Sequence, residues 1–229
     1  MNTSSPSLGQ VALNRLGRIL WAVMGLSLFS FGSYLQLQGG IGLSPWFSLN
    51  DGLANTFPIT YGQASILVSA LIIALDLLLR APIGVCTILN ALVVGTTSDI
   101  YLALGLVPEQ TFLPAQLLCL LAGMVTMCFA QFLYMKVGLS CGPRDSLMVA
   151  VGKRFPKVSI GKVNIALFAI VQVIALFMGG PFGIGTFIVV FGNGMVMDAV
   201  FRLLRFEPRS VQHENLLQTL TALRDAARR

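Results

Sequence analysis

Six long apolar runs, joined by short segments that carry almost all of the charge, constrain this 229-residue chain more than any motif in it. They cover about residues Ile19–Leu37, Tyr61–Leu79, Ile83–Val107, Phe112–Met135, Val163–Met178 and Phe182–Leu203. A membrane-spanning helix needs roughly 20 predominantly apolar residues, and all six runs reach or approach that length, the fifth being the shortest. Charged residues make up 10% of the chain and apolar ones 55%, whereas an ordinary globular chain is roughly a quarter charged. So few charges cannot cover a soluble domain. The expected class is an all-α integral membrane protein.

The basic residues then set the topology. With the N-terminus inside, Arg15 and Arg18, then Arg80, then the six cations from Lys136 to Lys162, then the six from Arg202 to Arg229 all fall on the cytoplasmic side, which accounts for all 15 Lys and Arg. Asp51 and Glu109 remain outside. Translocating basic flanks is unfavourable, so six spanning helices with both termini cytoplasmic are expected. The net charge of +6 is therefore a topological signal and not a nucleic-acid footprint. Residues 1–18 read as a cytoplasmic N-terminus, 19–107 and 108–206 as two three-helix units, and 207–229 as a cytoplasmic tail helix with Leu216, Leu217, Leu220 and Leu223 at helical spacing.

The two units repeat. Pro82-x-Gly84-x-x-Thr87 recurs as Pro181-x-Gly183-x-x-Thr186, Gly95 answers Gly194, and Asp99 answers Asp198, all at an offset of 99; Gly62 and Gly161 keep it. Pro45-Trp46-x-Ser48-Leu49 answers Pro143-Arg144-x-Ser146-Leu147 at an offset of 98. An odd number of spans per copy makes the second copy enter from the opposite face. The expected architecture is two inverted repeats, an arrangement found in secondary transporters.

Between the first two spans of each copy lies a stretch too polar for an ordinary spanning helix and too apolar for a free loop: 39–54 and 138–151. Glycines and a serine let the chain turn, and proline suits the first helical position, where no N–H partner is needed. Each reads as a re-entrant half-helix with its N-terminus aimed at the midplane, where dipole and free N–H groups attract anions. Interfacial helices lying flat, with Trp46 as an anchor and Arg144 snorkelling, are the alternative.

Gly42-Leu-Ser-Pro-Trp46, Gly142-Pro-Arg-Asp-Ser-Leu-Met148 and Gly179-Gly-x-x-Gly-x-Gly-Thr186 resemble the YczE/YyaS/YitT-like bacterial membrane proteins over roughly residues 12–206. The resemblance implies a polytopic protein of the bacterial inner membrane and brings little biochemistry. Ser44, Phe47 and Cys86 depart from the pattern at positions where Gly, Asp and Gly are usual.

Ionisable residues in lipid are functional candidates unless a local partner explains them. Arg80, four residues after Asp76, and Arg202, four after Asp198, offer such partners; Asp99 has none and is a candidate for coupling, for capping a helix or for an interhelical hydrogen bond. Asn90, Gln131, Gln172 and Asn193 either line a cavity or join helices. The four cysteines, Cys86, Cys119, Cys128 and Cys141, form no CxxC and read as small apolar residues. With His213 alone in the tail, neither a HExxH zinc site nor a Ser–His–Asp arrangement is available in the membrane, and no Lys precedes Thr186 to make a phosphate loop. The expected function is thus not enzymatic and needs no metal or cofactor: a transporter or facilitator of a small anionic solute. Its expected solute-binding residues are Ser44, Trp46, Thr87, Arg144, Asp145, Ser146 and Thr186, with Asp99 and Asp198 for coupling or gating. The bilayer and the solute are the partners, and self-association is compatible with the sequence. A scaffold that recruits a partner through its basic face and a lipid-handling protein are the alternatives.

Overall fold

The computed structural model describes residues 8–81, 83–140, 142–158, 160–206, 211, 214 and 221. Pro82, Cys141 and the expected tail helix, apart from those three positions, lie outside the described residues. Among the described residues the structure is all-helical, in the order α1 (Leu8–Gly39), α2 (Pro45–Thr56), α3 (Tyr61–Leu78), α4 (Val85–Leu104), α5 (Leu113–Lys136), α6 (Pro143–Arg154), α7 (Ile160–Phe177) and α8 (Ile184–Leu203).

The surface is apolar, unlike that of a soluble bundle, and polar side chains share the interior with an apolar core. Leu71, Leu78, Leu118, Phe187, Phe191 and Met195 face outward, while Ser30, Gln36, Ser48, Asn50 and Thr87 are buried. Lipid is as apolar as leucine, so helices there meet through small and polar residues while the large apolar ones face the tails. α1, α3, α4, α5 and α8 contain stretches long and apolar enough to cross a membrane, and the apolar part of α7, Lys162–Phe177, is shorter. The chain is a multi-pass, all-α membrane protein.

The helices recur as the sequence does. α2 and α6 have 12 residues each and ends displaced by 98; α3 and α7, and α4 and α8, match in length with ends displaced by 99. Their packing is reciprocal too: α2 lies on α7 and α3 on α6, α1 on α4 and α5 on α8, with α1 against α5 at the centre. α1 and α5 run antiparallel, with Gly25 against Tyr134, Gly32 against Gly123 and Met127, and Gly39 against Gln116.

Two matching hydrogen bonds fasten the short helices. The Gly185 N–H at the start of α8 donates to Ile41 O just before α2, at 2.8 Å, and the Cys86 N–H at the start of α4 donates to Leu139 O just before α6, at 2.9 Å. Gly42, with φ +119°, passes so close to α8 that a Cβ there would lie 2.7 Å from Thr186 Oγ1. Only glycine combines that conformation with that approach.

The reciprocity breaks most plainly between the last two helices of each unit. Gly62 of α3 and Gly95 of α4 are in backbone contact, whereas Gly194, the counterpart of Gly95, has nothing within 4 Å of where its Cβ would stand. α3 packs on α4, and α7 does not pack on α8 in this way.

Candidate functional site

The starts of α2 and α6 meet. Ser44 caps the first and Gly142 the second, proline follows in both, and neither start is capped by a side-chain hydrogen bond. Trp46 and Arg144, equivalent in the repeat, occupy the same place in their helices and touch: the guanidinium carbon lies 5.5 Å from the centroid of the Trp46 ring and 5.1 Å from that of Phe47. Cation–π contact of this kind contributes about 0.5–2 kcal/mol, most where water is excluded. A cation in the first turn opposes the helix macrodipole, and α6 already carries Lys153 and Arg154 in its last turn, where cations are favoured. Arg144 is therefore placed against the preference of its own helix.

Around this junction lies a cavity of about 210 Å³. Arg144 and Asp145, both half-buried, line it together with the carboxamides of Asn90, Gln131, Asn164 and Asn193. Trp46, Phe47 and Phe168 form an aromatic wall with Phe29 and Tyr134, and Met127, Met148, Met197 and Leu167 lie beside it. α1, α2, α4 and all the helices from α5 onward contribute, and α3 does not. The cavity reaches between α7 and α8, through Asn164 and Phe168 on one and Asn193 and Met197 on the other. Among the described residues the ion pairs are those of Arg15 and Arg18 with Glu214; Arg144 and Asp145 have neither an ion pair nor a hydrogen bond there.

Of the residues singled out from sequence, Ser44, Trp46, Arg144 and Asp145 come together at this cavity. Ser146 is buried behind it. Thr87 and Thr186 are placed elsewhere, at the third positions of α4 and α8. Thr87 Oγ1 accepts from the Gly84 N–H at 3.2 Å and lies 3.4 Å from Ser140 Oγ; Thr186 Oγ1 accepts from the Gly183 N–H at 3.4 Å. Both thus satisfy orphan donors at a helix start beside the crossing that holds a short helix. Asn90, Gln131 and Asn193 line the cavity, whereas Gln172 joins helices by donating to Ser48 Oγ at 3.3 Å. The sequence reading does not assign Phe47 or Asn164 to the site; an aromatic next to Trp46 and an asparagine near the start of an apolar run, two residues after Lys162, are the available signals.

Asp99 closes the α3–α4 crossing. Its carboxylate accepts from the Gly62 N–H at 2.7 Å and from the Thr60 hydroxyl, and Thr60 also caps α3 reciprocally with Gln63. The pairs expected for the other aspartates are not formed. α3 ends at Leu78, and Arg80 takes a left-handed φ of 55°, so it is no longer one helical turn above Asp76. Asp76 is fully buried with both carboxylate oxygens unpartnered. Asp198 and Arg202 form no ion pair within 4.0 Å either, although both lie in α8. Replacing a buried, unsatisfied polar group with an apolar one of similar size recovers about 1–3 kcal/mol. Asp76→Leu is accordingly expected to raise stability by that amount in thermal unfolding of the purified protein. A fall of the same size would mean that the carboxylate has a partner.

Comparison with known proteins adds kinship. The family of unknown function DUF6198 matches residues 16–202. The chain is 32% identical to the uncharacterised membrane protein YczE of Bacillus subtilis, over 89% of this chain and 90% of that one. It is 29% identical to an uncharacterised protein of Haemophilus influenzae, over 80% of this chain and 82% of the relative. The Bacillus subtilis protein YyaS is 27% identical, over 76% and 87%. No solved structure matches the chain.

Proposed function

The chain belongs to the DUF6198 family, and because that membership carries no activity we propose one from the cavity: a secondary transporter or facilitator of a small solute bearing an anionic group. The observation that carries the proposal is Arg144, a guanidinium without an acceptor, set at the start of one short helix against the aromatic start of its counterpart. A cation held without a partner in a cavity of about 210 Å³ is a site awaiting an anion.

On this reading α1–α4 and α5–α8 are two inverted copies, with α1, α3, α4, α5, α7 and α8 spanning and α2 and α6 as half-helices. Twelve residues rise about 18 Å, a little over half the hydrocarbon thickness. Matching lengths, the exchange of partners between copies and the antiparallel α1–α5 pair support it. The basic residues put both termini in the cytoplasm and the protein in the bacterial inner membrane.

The broken symmetry supplies the gates. The outer ends of α3 and α4 are shut by Gly62 on Gly95 and latched by Asp99, while α7 and α8 stand apart with the cavity between them. In the opposite state the roles exchange: Gly194 closes on Gly161, with Asp198 as latch, and α3 parts from α4. Rocking of repeats about a central site is the general form of alternating access. Asn50 and Tyr61 are buried near the start of α3, and on this reading they belong to the shut route.

The test is uptake into proteoliposomes of labelled small carboxylates and of inorganic phosphate, beside a lipid-scrambling assay on the same vesicles. Saturable uptake above protein-free vesicles is expected for at least one carboxylate. Scrambling alone would favour lipid handling, and neither activity would remove transport. Trp46→Ala is expected to weaken solute binding about 5–30-fold, the equivalent of about 1–2 kcal/mol, measured as the half-saturating concentration for uptake.

A further inference from the structure

Arg144 and Asp145 are consecutive, and consecutive helix positions point about 100° apart without facing each other. Two opposite charges are therefore held side by side on the wall of one cavity, attracting each other but with no ion pair within 4.0 Å between them. A carboxylate in the first turn of a helix is ordinarily explained by the helix itself: it favours the dipole and folds back to accept from the capping N–H. Asp145 makes no such bond to Gly142; a Cβ on Gly142 would stand 3.3 Å from Asn90 Nδ2 and 3.7 Å from Asp145 Oδ2. The aspartate thus lines the cavity wall with its acceptor capacity unused.

An anion alone would satisfy Arg144 and be repelled by Asp145 a few ångströms away. A cation alone would meet the reverse. From this juxtaposition we infer that the solute is a small zwitterion, with its carboxylate on Arg144 and its ammonium on Asp145. The inference rests on the transport reading above and narrows its substrate. The rest of the lining fits. Each of Asn90, Gln131, Asn164 and Asn193 offers both a donor for a carboxylate and an acceptor for an ammonium. Phe168 and the flexible thioethers of Met127, Met148 and Met197 accommodate a short apolar stem. The cavity, at about 210 Å³, is smaller than the roughly 300–1,000 Å³ of sites that take drug-sized ligands, which limits the solute to a few heavy atoms beyond its two charged groups.

The experiment is calorimetric titration of the full chain in nanodiscs with matched probes. These are short amino acids and betaines, the monocarboxylates that lack the amine, the amines that lack the carboxylate, and inorganic phosphate. At least one zwitterion is expected to bind at least about 100-fold more tightly than its own carboxylate or amine analogue, since leaving one buried charge unpaired is strongly unfavourable. Asp145→Asn, nearly isosteric, is expected to abolish that advantage while the carboxylate analogue binds as before or better; an unchanged unfolding transition shows that the variant is folded. Phosphate or a plain carboxylate binding as tightly as any zwitterion would overturn the inference and leave anion transport standing. Binding by none of the probes, together with no uptake into proteoliposomes, would remove both.

Discussion

Arg144→Ala is expected to lower solute affinity by at least about 100-fold and to leave the stability of the empty protein nearly unchanged. Removing one member of a desolvated charge pair costs about 2–5 kcal/mol of binding. Two smaller terms oppose each other in the empty protein. Loss of contact with Trp46 and Phe47 costs about 0.5–2 kcal/mol, and removal of a cation from the positive end of α6 returns about 0.3–1 kcal/mol. Arg144→Lys keeps the charge and loses the planar fork that binds a carboxylate through two hydrogen bonds, so it is expected to recover only part of the affinity. Titration and thermal unfolding on the same preparations separate the effects. A large stability loss with little change in affinity would make Arg144 a structural residue.

The second large effect is a pair of substitutions that the repeat makes equivalent and the structure makes different. Gly62→Ala places a methyl group into the backbone carbonyl of Gly95, and overpacking of this kind costs about 1–3 kcal/mol or more. Gly194→Ala meets nothing within 4 Å, and alanine in a helix interior is favoured over glycine by about 0.8–1 kcal/mol. Gly62→Ala is expected to be destabilised in thermal unfolding. Gly194→Ala is expected to be as stable as the parent or more so, yet to transport at least about 10-fold more slowly, because the proposed opposite state brings Gly194 into close contact. Full transport by Gly194→Ala would mean that α7 and α8 never close as α3 and α4 do.

What was legible in the sequence is what backbone geometry and charge make costly to place. Pro45 and Pro143 mark the starts of the two short helices, and Gly84, Gly183 and Asp99 mark crossings where few other residues fit. Arg144 stood out because nothing local pays for a guanidinium in an apolar stretch. Sequence alone does not separate a hydroxyl at Thr87 or Thr186 that caps its own helix from one that meets a ligand, since both have the same signature; the bonds from the Gly84 and Gly183 N–H groups show the capping. The Asp76–Arg80 pair failed because spacing of four implies contact only within a continuous helix, and α3 stops between the two. The carboxamides were ambiguous for a related reason, since Gln172 and Gln131 differ in what they face and not in chemistry. The parting of α7 from α8 leaves no trace in the sequence: Gly161 and Gly194 are the same residues as the closed pair, and in the proposed transport cycle which pair is shut depends on the conformation.

A mid-membrane binding site requires α2 and α6 to meet at their starts and leave toward opposite faces of the membrane. Asn55, exposed at the end of α2, and Lys153, exposed at the end of α6, report this directly when each is replaced by cysteine in a chain whose native cysteines are removed. With a membrane-impermeant maleimide, Asn55→Cys is predicted to be labelled in intact cells and Lys153→Cys only after the cells are opened. Labelling of both from one side would contradict the inverted arrangement and, with it, a site at the centre of the bilayer.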